Sequence, residues 1–273
     1  MREPTQAELE QLRKARRVQR VGRWLAEHVD DDHWSKDPAP LVGPGVRPAR
    51  AAELARTWLR WSVEEQQSAA TPTAAVRLIR SRLEERGVLT MQLSLGKSGA
   101  RGFSLYDNQK PVVAINTHYI AEARLFSYGH ELGHLMRRKD AVCIGFASTQ
   151  AERWCEEFAA SFLLPKDALR EAIERRFGSG HFVKDLADLR KIAGAFRVSL
   201  SATAIRLEGL GWGQEGLFGL IPKGSDVKKQ GGGPTGTDTT RGARRRPPSW
   251  GADIGRVFGG WGGGGFNHPG VRI

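Results

Sequence analysis

Only two of the 273 residues are cysteine, Cys143 and Cys155, so no disulfide framework staples the chain together. It also lacks an apolar run near its start of the kind a secretory signal needs, and nowhere do about 18 apolar residues follow one another to span a bilayer. These absences point to a cytoplasmic protein with no membrane partner. Acidic residues are in deficit, 30 against 42 lysines and arginines, for a net charge of +12. Charge of that size suggests contact with nucleic acid or acidic partners, against the plainer reading of a solvated surface with a basic tail, and says nothing about fold. No internal repeat is visible, and a hydrophobic content of 40% suffices for one ample core or two modest ones.

Against this background one stretch carries chemistry. Phe126-Ser127-Tyr128-Gly129-His130-Glu131-Leu132-Gly133-His134-Leu135 contains H-E-x-x-H within a segment that can be a single helix. Positions four apart on a helix lie one above the other, so His130 and His134 would present both imidazoles to one point, which suits a zinc ion. Glu131 is displaced around the helix far enough to reach a water activated by the metal instead of the metal itself, and is the candidate general base. The bare pattern also arises by chance. A catalytic zinc needs three protein ligands and an open position, so a third acid is sought downstream.

Residues 149–165 supply candidates. Cys155, Phe158, Ala159, Phe162 and Leu163 follow the spacing of a buried helix face, and Pro165 stops the helix. Glu152 and Glu156 lie along or beside that face, where an unpaired carboxylate would be costly. For Glu152 there is a competing structural reading, because Thr149-x-x-Glu152 has the spacing of a capping box. Either cysteine is a conceivable zinc ligand, but without C-x-x-C spacing the signal is weak beside Glu152.

The combination of H-E-L-G-H with E-x-x-C-E-x-F-A-A-x-F-L-L-P, preceded by Pro111-Val112-Val113-Ala114-Ile115-Asn116 and Arg124-Leu125-Phe126, resembles the ImmA/IrrE family of zinc metallo-endopeptidases over roughly residues 50 to 213. The resemblance implies a zincin-like α+β fold, His130, His134 and Glu152 as metal ligands, and Glu131 as the base. The metal implied is zinc, with manganese as a possible occupant of such a site. It also implies a partner, since characterised members cleave repressors of the helix-turn-helix type and so relieve repression of mobile-element or stress-response genes. The chain departs from the family in having Cys155-Glu156 where Ala-Asn is common, and Glu156 is expected to orient a ligating histidine.

In chain order, residues 1–47 read as a basic helical arm, with a helix over 7–29 that turns Val18, Val21, Leu25 and Val29 to one side, followed by a Pro- and Asp-rich linker. Weak nucleic-acid contact is conceivable through this arm or through the tail. Residues 48–165 read as the metallopeptidase core. Two helices there precede three short strands over 88–95, 102–106 and 111–116, which form a small three-stranded sheet leading into the H-E-x-x-H helix. Residues 166–223 read as a helical unit resembling a helix-turn-helix, with Ser199 opening its second helix and Ser201, Thr203 and Arg206 as exposed positions. Residues 224–273, rich in Gly, Arg and Pro, read as a disordered tail. The competing reading of the whole is a DNA-binding transcriptional regulator with a vestigial or structural zinc site. Tyr128, His118 and Arg124 lie near the motif in sequence, and no oxyanion-stabilising role is assigned to them.

Overall fold

The computed structural model describes residues 3–28, 39–43, 45–97, 99–138, 141–143 and 149–228. Most of the expected tail, residues 229–273, and residues 29–38 of the expected linker lie outside the described residues. The elements run α1 (Gln6–His28), α2 (Pro48–Leu59), α3 (Val63–Ser68), α4 (Pro72–Glu85), β1 (Leu89–Leu93), β2 (Gly102–Leu105) and β3 (Val112–Asn116). Then come α5 (Ala121–Met136), β4 (Ala141–Cys143), α6 (Gln150–Leu163), α7 (Lys166–Phe177), α8 (Leu186–Phe196), α9 (Leu200–Leu210) and a short 3₁₀ turn, Leu217–Leu220. The fold is mixed α+β. Among the described residues no helix is long and apolar enough to cross a membrane.

Local sequence explains most of the helix ends. Thr71 and Ser199 sit at N-cap positions and accept hydrogen bonds from Ala74 N and Ala202 N, with Pro72 opening α4. Gly87, just past α4, takes a positive φ of 78°, which a residue without a β-carbon adopts without strain.

The sheet has four strands in the order β1-β3-β2-β4, one more than the three the sequence suggests. β1 runs parallel to β3, while β2 is antiparallel to both β3 and β4. β4 escapes a sequence reading because three residues are too few to show a period of two. β3 is buried throughout and its side chains alternate between two cores. Val113 and Ile115 join the large core with Leu125, Tyr128, Leu132 and Phe162, and Val112 and Ala114 join a smaller one with Ala15, Leu89 and Phe103.

That smaller core is closed by α1. The helix does not stand apart as an arm: Gln19 Nε2 donates to Leu105 O and Lys110 O, each at 3.2 Å, and Glu8 Oε1 accepts from Ala100 N at 2.7 Å. Its buried side is Ala15, Gln19, Gly22 and Leu25, so the expected face is rotated and Val21 is exposed. Close approach to the sheet selects small residues here; a β-carbon on Gly22 would meet Leu89 Cδ1 at 2.9 Å.

Lys110 lies under α1 with 2% of its surface exposed, and burial pushes its ammonium down to about 8 despite Asp107 nearby. The unfolded chain therefore holds more protons than the folded one between about pH 8 and 10.5, and stability rises with pH through that window. Below it the burial penalty is fully present. Denaturant unfolding followed from pH 7.5 to 10.5 is expected to show this rise in the wild type and not in Lys110→Met.

The helix-turn-helix reading assigned exposed positions that the structure corrects. Thr203 is fully buried and donates from Oγ1 to Ser199 O at 3.0 Å, and Arg206, 9% exposed, donates from Nε to Leu164 O at 3.0 Å. Two of the three side chains nominated to face outward from α9 are thus turned inward, Thr203 bonding back within its own helix and Arg206 tying α9 to the end of α6 through the Leu164 carbonyl. Ser201 is half-buried.

Candidate metal centre

α5 places His130, Glu131 and His134 in the interior, at 8%, 1% and 2% exposure. α6 packs closely against it because two glycines face the contact. A β-carbon on Gly133 would lie 3.0 Å from Phe158 Cδ1 and 3.3 Å from Cys155 Sγ, and one on Gly129 3.4 Å from Ala159 Cα. This approach brings Glu152, in the first turn of α6, over the two histidines.

The three groups converge. His130 Nε2 and His134 Nε2 are 3.1 Å apart, His130 Nε2 lies 3.2 Å from Glu152 Oε2, and His134 Nε2 lies 3.5 Å from Glu152 Oε1. Two imidazole nitrogens and a carboxylate oxygen form a group within 4.8 Å. A tetrahedral ion with ligand bonds of about 2.0–2.1 Å holds its ligand atoms about 3.3 Å from one another, so the spacing here is that of one face of such a tetrahedron. The electrostatics agree. Burial by itself would lower the His134 pKa, but Cys155, Glu152 and Glu131 together push it up to about 10, and His130 and His134 hold the Glu152 carboxyl well below the usual carboxylate range. A proton held among these groups marks a place that favours positive charge, and the donor set suits a borderline metal.

Of the capping box only the Thr149 half is formed. Thr149 Oγ1 accepts from Glu152 N at 3.2 Å, which caps α6 through the backbone, while the carboxylate is turned to the histidines.

Glu131 is the outlier. Its Oε2 is buried without a hydrogen-bond partner among the described residues. A β-carbon on Gly102 would lie 3.0 Å from Glu131 Oε1 and 2.8 Å from Ala114 O, so a glycine in β2 is what leaves room for this carboxylate. A buried carboxylate oxygen lacking a donor is costly unless a water or substrate group supplies one.

Two contributors were not assigned a role from the sequence. Gly102 offers no local signal. Cys155, free and fully buried, hydrogen-bonds His134, and its sulfur is outside the group of converging ligand atoms. The thiol thus lies against the ring of a histidine that also meets His130 and Glu152. Its place three residues after Glu152 on the same side of α6 was legible. Glu156, expected in that role, makes no hydrogen bond among the described residues, and burial raises its pKa. Replacing Cys155 by Ala is expected to weaken metal binding about 10- to 100-fold in a chelator competition, with Ser partly restoring it. A residue that only fills space would lower the melting temperature and leave metal affinity unchanged.

The other residues near the motif belong elsewhere. Tyr128 is fully buried in the large core, where desolvation pushes its phenol up to about 12, and His118 Nε2 pairs with Ser94 Oγ at 3.0 Å.

The family comparison agrees with the geometry. Residues 83–208 match the model of the peptidase M78 family, described as the IrrE N-terminal-like domain, and this span contains His130, Glu131, His134 and Glu152. No curated protein matches the chain. Residues 83–208 thus carry a peptidase M78, IrrE N-terminal-like domain match, consistent with the ImmA/IrrE resemblance of the sequence.

Proposed function

We propose that the chain is a zinc-dependent endopeptidase of zincin type that hydrolyses a peptide bond in a helix-turn-helix repressor and thereby relieves repression. The observation that carries the peptidase reading is the meeting of His130, His134 and Glu152 beside the buried, unpartnered oxygen of Glu131. His130, His134 and Glu152 would hold the metal, zinc or manganese. When bound, such an ion supplies Lewis acidity, polarising the scissile carbonyl and acidifying a water. Glu131 takes the proton of the attacking water at Oε2 and delivers it to the leaving amine nitrogen, so the carboxylate is regenerated at the end of the turnover. Gly102 leaves room for that carboxylate beside β2, and Cys155, which lies against His134, would help to orient its ring.

The substrate reading rests on family and topology. Among the described residues β4 pairs only with β2, so the sheet ends there at an edge strand. An extended segment of a partner adds to such an edge as a further strand. A folded repressor meets this requirement with an exposed or locally unfolded loop, and cutting between its DNA-binding and dimerisation parts abolishes paired half-site binding. Activity on a repressor places the protein in the cytoplasm. The buried Thr203 and Arg206 tell against the regulator alternative, since they are not free to read bases.

The test is to incubate the metal-loaded protein with the repressor encoded beside it and to look for two fragments by mass spectrometry. Cleavage by wild type and none by Glu131→Gln is expected. Metal-loaded wild type that leaves the repressor intact overturns the substrate assignment.

A further inference from the structure

The outer face of α1 has no role in the peptidase reading. Between Gln11 and Ala26 the helix carries Arg13, Lys14, Arg16, Arg17, Arg20 and Arg23 and no acidic residue. All six are exposed. Arg23 is paired with Asp107 at 3.2 Å, whereas Arg13, Lys14, Arg17 and Arg20 have no ion pair with any described residue. At about 100° per residue, Arg13, Arg17, Arg20 and Trp24 fall within about 60° of one another, in a line about 16 Å long. Trp24 ends this line with 52% of its surface exposed and one side stacked on His28 at 4.8 Å between ring centroids.

A run of charge on a mobile arm is ordinarily just solvated. Here the run is fixed, because Gln19, Glu8 and Gly22 fasten the opposite side of the helix to the sheet. We infer that this face of α1 is a docking surface for double-stranded nucleic acid, engaged through backbone phosphates and indifferent to base sequence.

Three features select this occupant. Five of the six cations are arginine, whose planar guanidinium pairs phosphate oxygens two at a time, and a duplex offers several phosphates along the length of the line. Insertion into a membrane surface would need the apolar side of α1, but Ala15 and Leu25 are buried, and Leu12 and Val18 pack against the smaller core. Base reading by α9 is not available, because Thr203 and Arg206 are buried. The surface also lies away from the metal centre. α1 covers the face of β3 bearing Val112 and Ala114, and α5 packs over the face bearing Val113 and Ile115, so a bound duplex leaves the site open.

The test is anisotropy of a fluorescent 20-base-pair duplex with the full chain, from 50 to 200 mM salt. The triple variant Arg13→Gln, Arg17→Gln, Arg20→Gln changes only exposed side chains, and its melting temperature serves as the check on folding. Loss of three phosphate contacts is expected to reduce the slope of log K against log salt by about 2.7 and to weaken binding at 0.1 M salt by more than about 100-fold. Trp24→Ala is expected to weaken binding with the slope unchanged. A poly-glutamate chain is the competing probe. If the triple variant binds duplex as the wild type does, or if wild type captures poly-glutamate and no duplex at 50 mM salt, the inference is overturned. Failure of the peptidase assay does not touch it, because neither readout depends on turnover.

Discussion

Glu131→Gln is expected to retain its metal, about one ion per chain by elemental analysis, and to lose hydrolysis by about 10²- to 10⁴-fold. The amide is close to the carboxylate in shape, so it fits the space that Gly102 leaves without disturbing β2. It cannot take a proton from water. Because Glu131 is not among the converging ligand atoms, the ion should stay, and because its unpartnered oxygen is where the proton must go, turnover should not. The loss belongs in kcat with little change in KM, as for an interaction made only on the way through the transition state. Loss of the metal together with activity would make Glu131 a ligand, and retained activity would remove it from the chemistry.

The convergence of His130, His134 and Glu152 was legible because helix geometry is local. The four-residue spacing of His130 and His134 already fixes where the two rings point, and Glu152 shares a side of its helix with Cys155 and Ala159. What the sequence left open needed tertiary contacts. Glu152 carries both a capping spacing and a ligand spacing, and only the fold shows its backbone nitrogen on Thr149 Oγ1 and its carboxylate turned to the histidines. Thr203 and Arg206 look like solvent-facing residues because they are polar. They are buried because carbonyls at Ser199 and Leu164 happen to accept from them. α1 misleads in the opposite direction: its apolar Val21 faces water while Gln19 is buried, since a glycine and an alanine allow the close approach and the carbonyls of Leu105 and Lys110 receive the amide. The carbonyls that receive Gln19 and Arg206 lie far away in sequence, so no periodicity records them.

Glu152→Ala is expected to lower metal affinity by more than about 100-fold, a larger loss than removing a group that merely orients a ligand. Helix α6 should survive the change. Its cap is Thr149 Oγ1 accepting from the backbone nitrogen of residue 152, which alanine keeps, and Cys155, Phe158 and Phe162 remain in the interior. Only the carboxylate is lost, leaving His130 and His134 as a two-nitrogen site. The consequence reaches stability, because an ion that binds the folded chain alone adds about 2.7 kcal/mol when present at a hundredfold excess over its Kd. Addition of a chelator is therefore expected to lower the melting temperature of wild type by several degrees and to leave that of Glu152→Ala unchanged. Glu156→Ala is the matched control, one turn along the same helix, with no hydrogen bond among the described residues, and it should hold its metal as wild type does. Equal metal content in Glu152→Ala and wild type would remove Glu152 from the ligand set. Stripping of the ion by Glu156→Ala alone would exchange the roles of the two carboxylates.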